Sequence, residues 1–356
     1  MKILQIKQNN NINLIRELVY KRTSFLLEKM KEMNIKNIKI DTPLILAPMA
    51  GITNSAYRKM MKELACPLTV SEMVSDFALH YGNKETINML YTDPLDHPLS
   101  VQLFGGSKDS LLKGAKVLFE KGGFEILDIN LGCPVNKVVK ENAGSSWLKI
   151  GREEELFSAI KELVDISPVP VTCKIRLGWD EDSINVVSTC KILEKAGVSL
   201  ISIHARTRSA MYSGTPKYEY IKLAKEAVKI PIVANGDINS VEDVDRIIKL
   251  TNCDGVMIGR GALGNPILIK QIYEYFNHLE ISPESTLDER IEFLKKHFSY
   301  LEELKGEFKA VSEMRGLSPH YLKGFNNMKK YKARLTTMKS KSEFYDICND
   351  IKQEID

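Results

Sequence analysis

Eight short apolar runs, each closing on polar or glycine-bearing residues and each followed by a stretch with helical spacing, constrain this chain more than any other feature. Their ends read Leu46-Ala47-Pro48-Met49-Ala50-Gly51, Val70-Ser71-Glu72-Met73, Val101-Gln102-Leu103-Phe104, Asn130-Leu131-Gly132-Cys133-Pro134, Cys173-Lys174-Ile175-Arg176, Ile203-His204-Ala205-Arg206, Val233-Ala234-Asn235-Gly236-Asp237 and Met257-Ile258-Gly259-Arg260. The runs are continuous rather than alternating, as expected of parallel strands buried on both faces. Helical spacing follows over 55–64, 76–90, 108–121, 152–164, 184–196, 218–228, 241–250 and 265–276. Ser240 before Val241 and Gly197 after Ala196 read as helix caps. A doubly wound open sheet also alternates strand with helix, but it rarely carries chemistry on every strand end. The expected fold is therefore α/β, a (β/α)8 TIM barrel whose eight strand ends share one rim.

A barrel of about 250 residues leaves part of this 356-residue chain over, so a second unit is expected. Pro283 and Ser285 mark a boundary beyond which only helical periodicity remains. The chain divides into an N-terminal helical extension (1–33), the barrel (34–280) and an all-helical domain (285–356). Because every strand precedes residue 285, removing the helical domain is expected to spare the barrel. No apolar run reaches the roughly 18 to 20 residues of a membrane span, and the first 34 residues lack the unbroken apolar core of a secretory signal. A cytoplasmic monomer is the expectation. Six cysteines at 66, 133, 173, 190, 253 and 348 form no CxxC pair, which argues against zinc, or any other metal, and against a disulfide framework.

A net charge of +4 says little about partners, but its distribution says more. Residues 314–342 hold eight Lys or Arg, among them Lys329, Lys330, Lys332 and Arg334, with no carboxylate and with Tyr321, Phe325 and Tyr331 interleaved. That pattern reads either as a solvated helix face or as a surface for nucleic acid.

On the rim, Asn235-Gly236-Asp237 and Gly259-Arg260-Gly261 follow the seventh and eighth strands, where such barrels bind phosphate through backbone N–H groups. Lys174 on the fifth strand could stabilise negative charge on a reduced flavin, and Gln102 on the third could offer its amide to the same ring. Pro48, Met49 and Ala50 supply an apolar platform. Cys133 lies between Gly132 and Pro134 in a rim loop, and an ordinary thiol, protonated at neutral pH, can act as a general acid. Beyond His204 on the sixth strand no Cys-His-Asn order is evident, so proton donor is preferred to nucleophile.

At these residues the chain resembles the flavin-dependent tRNA-dihydrouridine synthases, most closely their bacterial B subfamily. The resemblance is carried by Ala47-Pro48-Met49-Ala50-Gly51, Asp128-Ile129-Asn130-Leu131-Gly132-Cys133-Pro134, Lys137-Val138, Ala143-Gly144-Ser145, Lys174-Ile175-Arg176-Leu177-Gly178-Trp179, His204-Ala205-Arg206-Thr207-Arg208, Tyr212-Ser213-Gly214, Asn235-Gly236-Asp237 and Met257-Ile258-Gly259-Arg260. Met314-Arg315 and Tyr321-Leu322-Lys323-Gly324 resemble the family's helical tRNA-binding domain. The resemblance implies FMN held by Pro48, Met49, Ala50, Gln102, Lys174, Asn235, Gly236, Asp237, Gly259 and Arg260. It also implies NADPH or NADH as reductant and tRNA as partner. Hydride would pass from flavin N5 to uracil C6, with Cys133 protonating C5. Asn130 would bind the uracil, and His204, Arg206, Arg208 and the basic residues Lys329, Lys330, Lys332 and Arg334 would meet the RNA. Ala205 and Ser146-Trp147 depart from the family pattern without removing a functional group. The alternatives are the same chemistry on ribosomal RNA, an FMN enzyme of the dihydroorotate dehydrogenase type, and an RNA-binding scaffold with a vestigial barrel. The basic helical region disfavours the second alternative, and Cys133 with Lys174 disfavours the third.

Overall fold

The computed structural model describes residues 32–353. The expected helical extension thus lies outside the described residues except for Glu32 and Met33, and Met33 already opens a strand. Strands β1 (Met33–Ile35) and β2 (Ile38–Ile40) form an antiparallel hairpin. Met33, Ile35 and Ile40 pack against Ile45, Leu68, Ile126, Leu200 and Val233 of the barrel interior. This hairpin closes the end of the barrel away from the rim, so the interior is filled rather than open to water.

Eight parallel strands follow and close on themselves: β3 (Leu44–Leu46), β4 (Leu68–Ser75), β5 (Leu99–Phe104), β6 (Ile126–Leu131), β7 (Val171–Arg176), β8 (Leu200–His204), β9 (Ile232–Asn235) and β10 (Gly255–Ile258). Pairing of Val256 with Leu44 seals the ring. All eight strands lie where the apolar runs place them.

The intervening helices include α1 (Ser55–Glu63), α2 (Asp76–His80), α3 (Lys84–Asn88), α4 (Lys108–Lys121), α5 (Asn136–Lys140), α6 (Glu153–Ile166), α7 (Val186–Ala196), α8 (Glu219–Ala227), α9 (Val241–Thr251) and α10 (Ile267–Phe276). The Ser240 side chain accepts from the Asp243 N–H, and Gly197 ends α7 in the left-handed conformation. One expected helix, 76–90, is instead the pair α2 and α3. Gly82 breaks it at φ 66°, and Asn83 starts a new helix by capping the Thr86 N–H.

The C-terminal unit consists of α11 (Leu287–Lys305), α12 (Glu307–Tyr321), α13 (Lys329–Thr337) and α14 (Lys341–Gln353). A capping box between Thr286 and Glu289 starts α11. The unit is not a free appendage. Its Leu294, Phe298, Met314 and Tyr321 belong to the same buried apolar cluster as Tyr57, Met60 and Leu268 of the barrel helices. The Arg290 guanidinium donates to the Gly264 carbonyl, and Tyr300 and Lys296 both reach Glu63 on α1.

Candidate active site

The polar strand ends converge on the barrel mouth. Gln102, Asp128 and Thr172 are neighbours across β5, β6 and β7, and Asn130 lies two residues further along β6, on the same face. Gln102 donates to Asp128 at 2.6 Å, Thr172 donates to its other oxygen at 2.6 Å, and Asn130 donates to the Gln102 carbonyl at 2.7 Å. Asn130 Oδ1 accepts from the Gly132 and Cys133 N–H groups at 3.1 and 2.8 Å. The second hydrogen of its amide points at Met73 Sδ, 3.5 Å away. Asn130 therefore has both donors and both acceptor sites in use. It holds the Cys133 loop, and the resemblance assigns the same side chain to the uracil.

Cys133 is half-buried, whereas the other five cysteines are buried, and all six are unpaired. Its carbonyl accepts from the Ser145 N–H at 3.0 Å. Gly144, at φ 58°, passes so close that a Cβ there would lie 2.9 Å from the Cys133 Cβ. Arg176 braces the same loop by donating to the Gly132 carbonyl at 2.9 Å, and ties it to the Thr207 and Met211 carbonyls. Burial raises the Cys133 thiol above its ordinary value, offset in part by Arg176 and Lys174, so the thiol carries its proton at neutral pH.

Lys174 donates to Asn235 Oδ1 at 3.2 Å, and Asn235 in turn donates to the Met257 carbonyl at 2.7 Å. Burial and the adjacent Arg176 bring the Lys174 ammonium down to about 8. After β9 the backbone takes φ 128° at Gly236 and 44° at Asp237. Tyr218 donates its hydroxyl to the Gly236 carbonyl. Among the described residues, the N–H groups of Gly236, Asp237, Gly259 and Arg260 find no protein acceptor. Unpartnered backbone donors at a barrel's seventh and eighth strand ends suit a phosphate. The donor set, with Lys174 beside it through Asn235, fits the phosphate of FMN.

Several expected site residues take other places. Arg206, expected to meet the RNA, is 3% exposed. It grips Asp237 with two hydrogen bonds, at 3.0 and 2.6 Å, and donates to the Ser213 and Gly214 carbonyls. Asp237 thereby becomes an anchor between Arg206 and Arg260, the latter at 3.1 Å, and its carboxyl is held below the usual range by Arg206 first. His204, expected to meet the RNA, is buried behind Gly236, and burial with Lys174 and Arg176 keeps the ring neutral. Arg260 stacks 4.4 Å from the Tyr212 ring, whose exposed position at the mouth the sequence reading missed. Arg208 remains at the rim, half-buried, 4.5 Å from the Trp179 ring and bonded to Asn136.

The basic run resolves unevenly. Arg334 pairs with Asp350 at 2.6 Å, Lys341 with Glu302, and Arg315 donates to the Met338 carbonyl. Tyr321 and Tyr331 are core residues and not a stacking surface. Carboxylates absent from 314–342 are supplied by α11 and α14, a neutralisation that no linear window reveals. Lys329 and Lys330 are exposed and Lys332 is half-buried. Asp128 and Thr172 were also missed as site residues, although the alternations Asp128, Asn130 on one strand and Thr172, Lys174 on the next were the signal that could have found them.

Among the described residues there is no His, Cys, Asp and Glu group arranged to hold a metal, and no helix long and apolar enough to cross a membrane. The family model described as dihydrouridine synthase matches residues 45–356. The chain is 37% identical over 312 residues to tRNA-dihydrouridine synthase B of Pseudomonas putida, covering 87% of this chain and 91% of the relative. It is 33% identical over 307 residues to a probable tRNA-dihydrouridine synthase of Rickettsia bellii, covering 86% and 93%. Among solved structures, morphinone reductase superposes with a TM-score of 0.50 at 9% identity, over 71% of this chain and 91% of that one, a likeness of fold alone. From the family match across the barrel and its helical unit, and from relatives aligned over nearly their whole length, the chain belongs to the dihydrouridine synthase family, oxidoreductases that convert uridine in tRNA to dihydrouridine.

Proposed function

We propose that this chain reduces uridine in tRNA with FMN as its resident cofactor, NADPH as the reductant and Cys133 as the proton donor, working as a cytoplasmic monomer. What supports this reading is that a braced loop presents a protonated thiol on the same rim as Lys174 and the unpartnered backbone N–H groups of Gly236, Asp237, Gly259 and Arg260. Those N–H groups would hold the cofactor's phosphate, and Pro48, Met49, Ala50, Gln102 and Lys174 would surround its ring. Bound there, FMN would supply the hydride chemistry for the uracil ring.

The chain's own residues do the rest. Cys133 delivers its proton from Sγ to C5, and Asn130 and Arg176 fix the loop from which it does so. Lys174, tied to Asn235, places a cation where negative charge accumulates. A stacked base cannot reach this mouth, so the uridine must leave its stack, and basic residues such as Arg208, Lys329, Lys330 and Lys332 hold the RNA meanwhile. Cys133→Ala tests the assignment. NADPH-driven flavin reduction should stay intact while single-turnover uridine reduction falls by about 10² to 10⁴. Dihydrouridine formation at the wild-type rate, measured by mass spectrometry of the tRNA, would refute the role.

A further inference from the structure

The hydrogen-bond chain beneath Cys133 has fixed polarity at both ends. At one end stand the Gly132 and Cys133 N–H groups, which can only donate; at the other stands the Asp128 carboxylate, which, ionised, can only accept. Gln102 and Asn130 lie between them, and a side-chain amide offers an oxygen one way and a nitrogen the other. Only one arrangement satisfies every link: Asn130 Oδ1 toward the loop, Asn130 Nδ2 toward Gln102 Oε1, and Gln102 Nε2 toward Asp128. Reversing either amide sets donor against donor or acceptor against acceptor in a buried place, where Gln102 is wholly buried and Asp128 nearly so. Thr172 takes the second carboxylate oxygen at 2.6 Å.

We propose that Asp128 is a positioning residue for Cys133, its carboxylate orienting Gln102 and Asn130 so that the Asn130 oxygen clamps the proton-donor loop. The clamp is a feature of the protein chain alone, and its link to catalysis rests on the role of Cys133 given above. Asp128 touches neither Cys133 nor Asn130 among the hydrogen bonds of this network; its influence passes through Gln102.

An isosteric swap tests this on the FMN-loaded enzyme. Asp128→Asn should be tolerated, because the new amide can turn its oxygen to Gln102 and donate to the Thr172 hydroxyl, which accepts as readily as it donates. Asn130→Asp should not be. A carboxylate at 130 accepts from the loop but also demands a donor from Gln102, whose reversal then opposes the Asp128 carboxylate. Asn130→Asp alone is expected to lower Tm by several degrees and slow single-turnover uridine reduction by about tenfold or more, the scale of one lost buried hydrogen bond. Asp128→Asn added to Asn130→Asp should restore both, since the introduced amide then donates to the reversed Gln102. Effects on Tm that simply add across the two positions would overturn the orienting chain, whatever the activity shows. Restored Tm without restored uridine reduction would leave the chain standing but overturn its role in positioning Cys133.

Discussion

At the scale of single residues, the site depends on contacts that allow little substitution. Gly144 has φ 58°, and a Cβ would sit 2.8 Å from the Cys133 carbonyl oxygen, so both backbone conformation and space exclude a side chain. Gly144→Ala should cost about 1 to 3 kcal/mol in urea unfolding and should change the rate at which Cys133 is alkylated; an unchanged alkylation rate would show that the loop tolerates the clash. Arg206 and Asp237 give a pH-dependent contact. Because Arg206 lowers the folded-state carboxyl below its unfolded value, the pair's contribution is present above the unfolded value, near 4, and is lost as pH falls through the folded one. Arg206→Gln should therefore destabilise the protein at neutral pH by roughly 1.5 to 3 kcal/mol, with the difference from wild type shrinking in acid. Chemical denaturation at pH 7 and pH 3 would check it, and an equal loss at both would contradict the sign.

At the scale of elements, the C-terminal helices determine which cations are available to RNA. Lys329 is exposed at the start of α13, whereas Arg334 on the same helix is paired with Asp350. Lys329→Gln should reduce the slope of log K against log salt for tRNA by about 0.7 to 0.9, as expected for one phosphate contact. Arg334→Gln should change it less, since its charge is already partly compensated. Filter binding across a salt series distinguishes the two, and a larger effect at Arg334 would mean that RNA displaces Asp350. The β6–α6 connection shows the same principle in the barrel, where Trp147 is anchored by its indole N–H on the Gly105 carbonyl at 2.8 Å, under Arg152 at 4.0 Å. The Ser146-Trp147 departure from the family pattern is thus absorbed as core packing next to the Cys133 loop.

At the scale of the whole molecule, barrel and helical unit share one core, so deletion beyond residue 285 should destabilise the barrel. Removing α11 would uncover the wholly buried Tyr57 and Met60 and leave the Gly264 carbonyl without Arg290. Gly264 itself lies where a Cβ would meet His320 at 2.3 Å, a closeness that only docked backbones show. Calorimetry of the holoenzyme should accordingly give a single cooperative transition. Two separated transitions, or a truncated barrel that keeps its Tm, would restore the picture of independent domains.

The sequence by itself determined the barrel, because parallel strands buried on both faces write continuous apolar runs and their polar ends mark one rim. It also determined where Cys133, Lys174 and the two glycine loops would meet, since position along a barrel strand fixes which end a residue reaches. What linear order does not carry is partnership between distant elements. Only the tertiary structure decided that Arg206 is spent on Asp237, that Arg334 is matched by Asp350, and that Asn130 is fully engaged by Gln102 and the Cys133 loop. A residue type states which hydrogen bonds and charges it can offer; whether solvent, substrate or another side chain takes them depends on what the fold brings within about 3 Å.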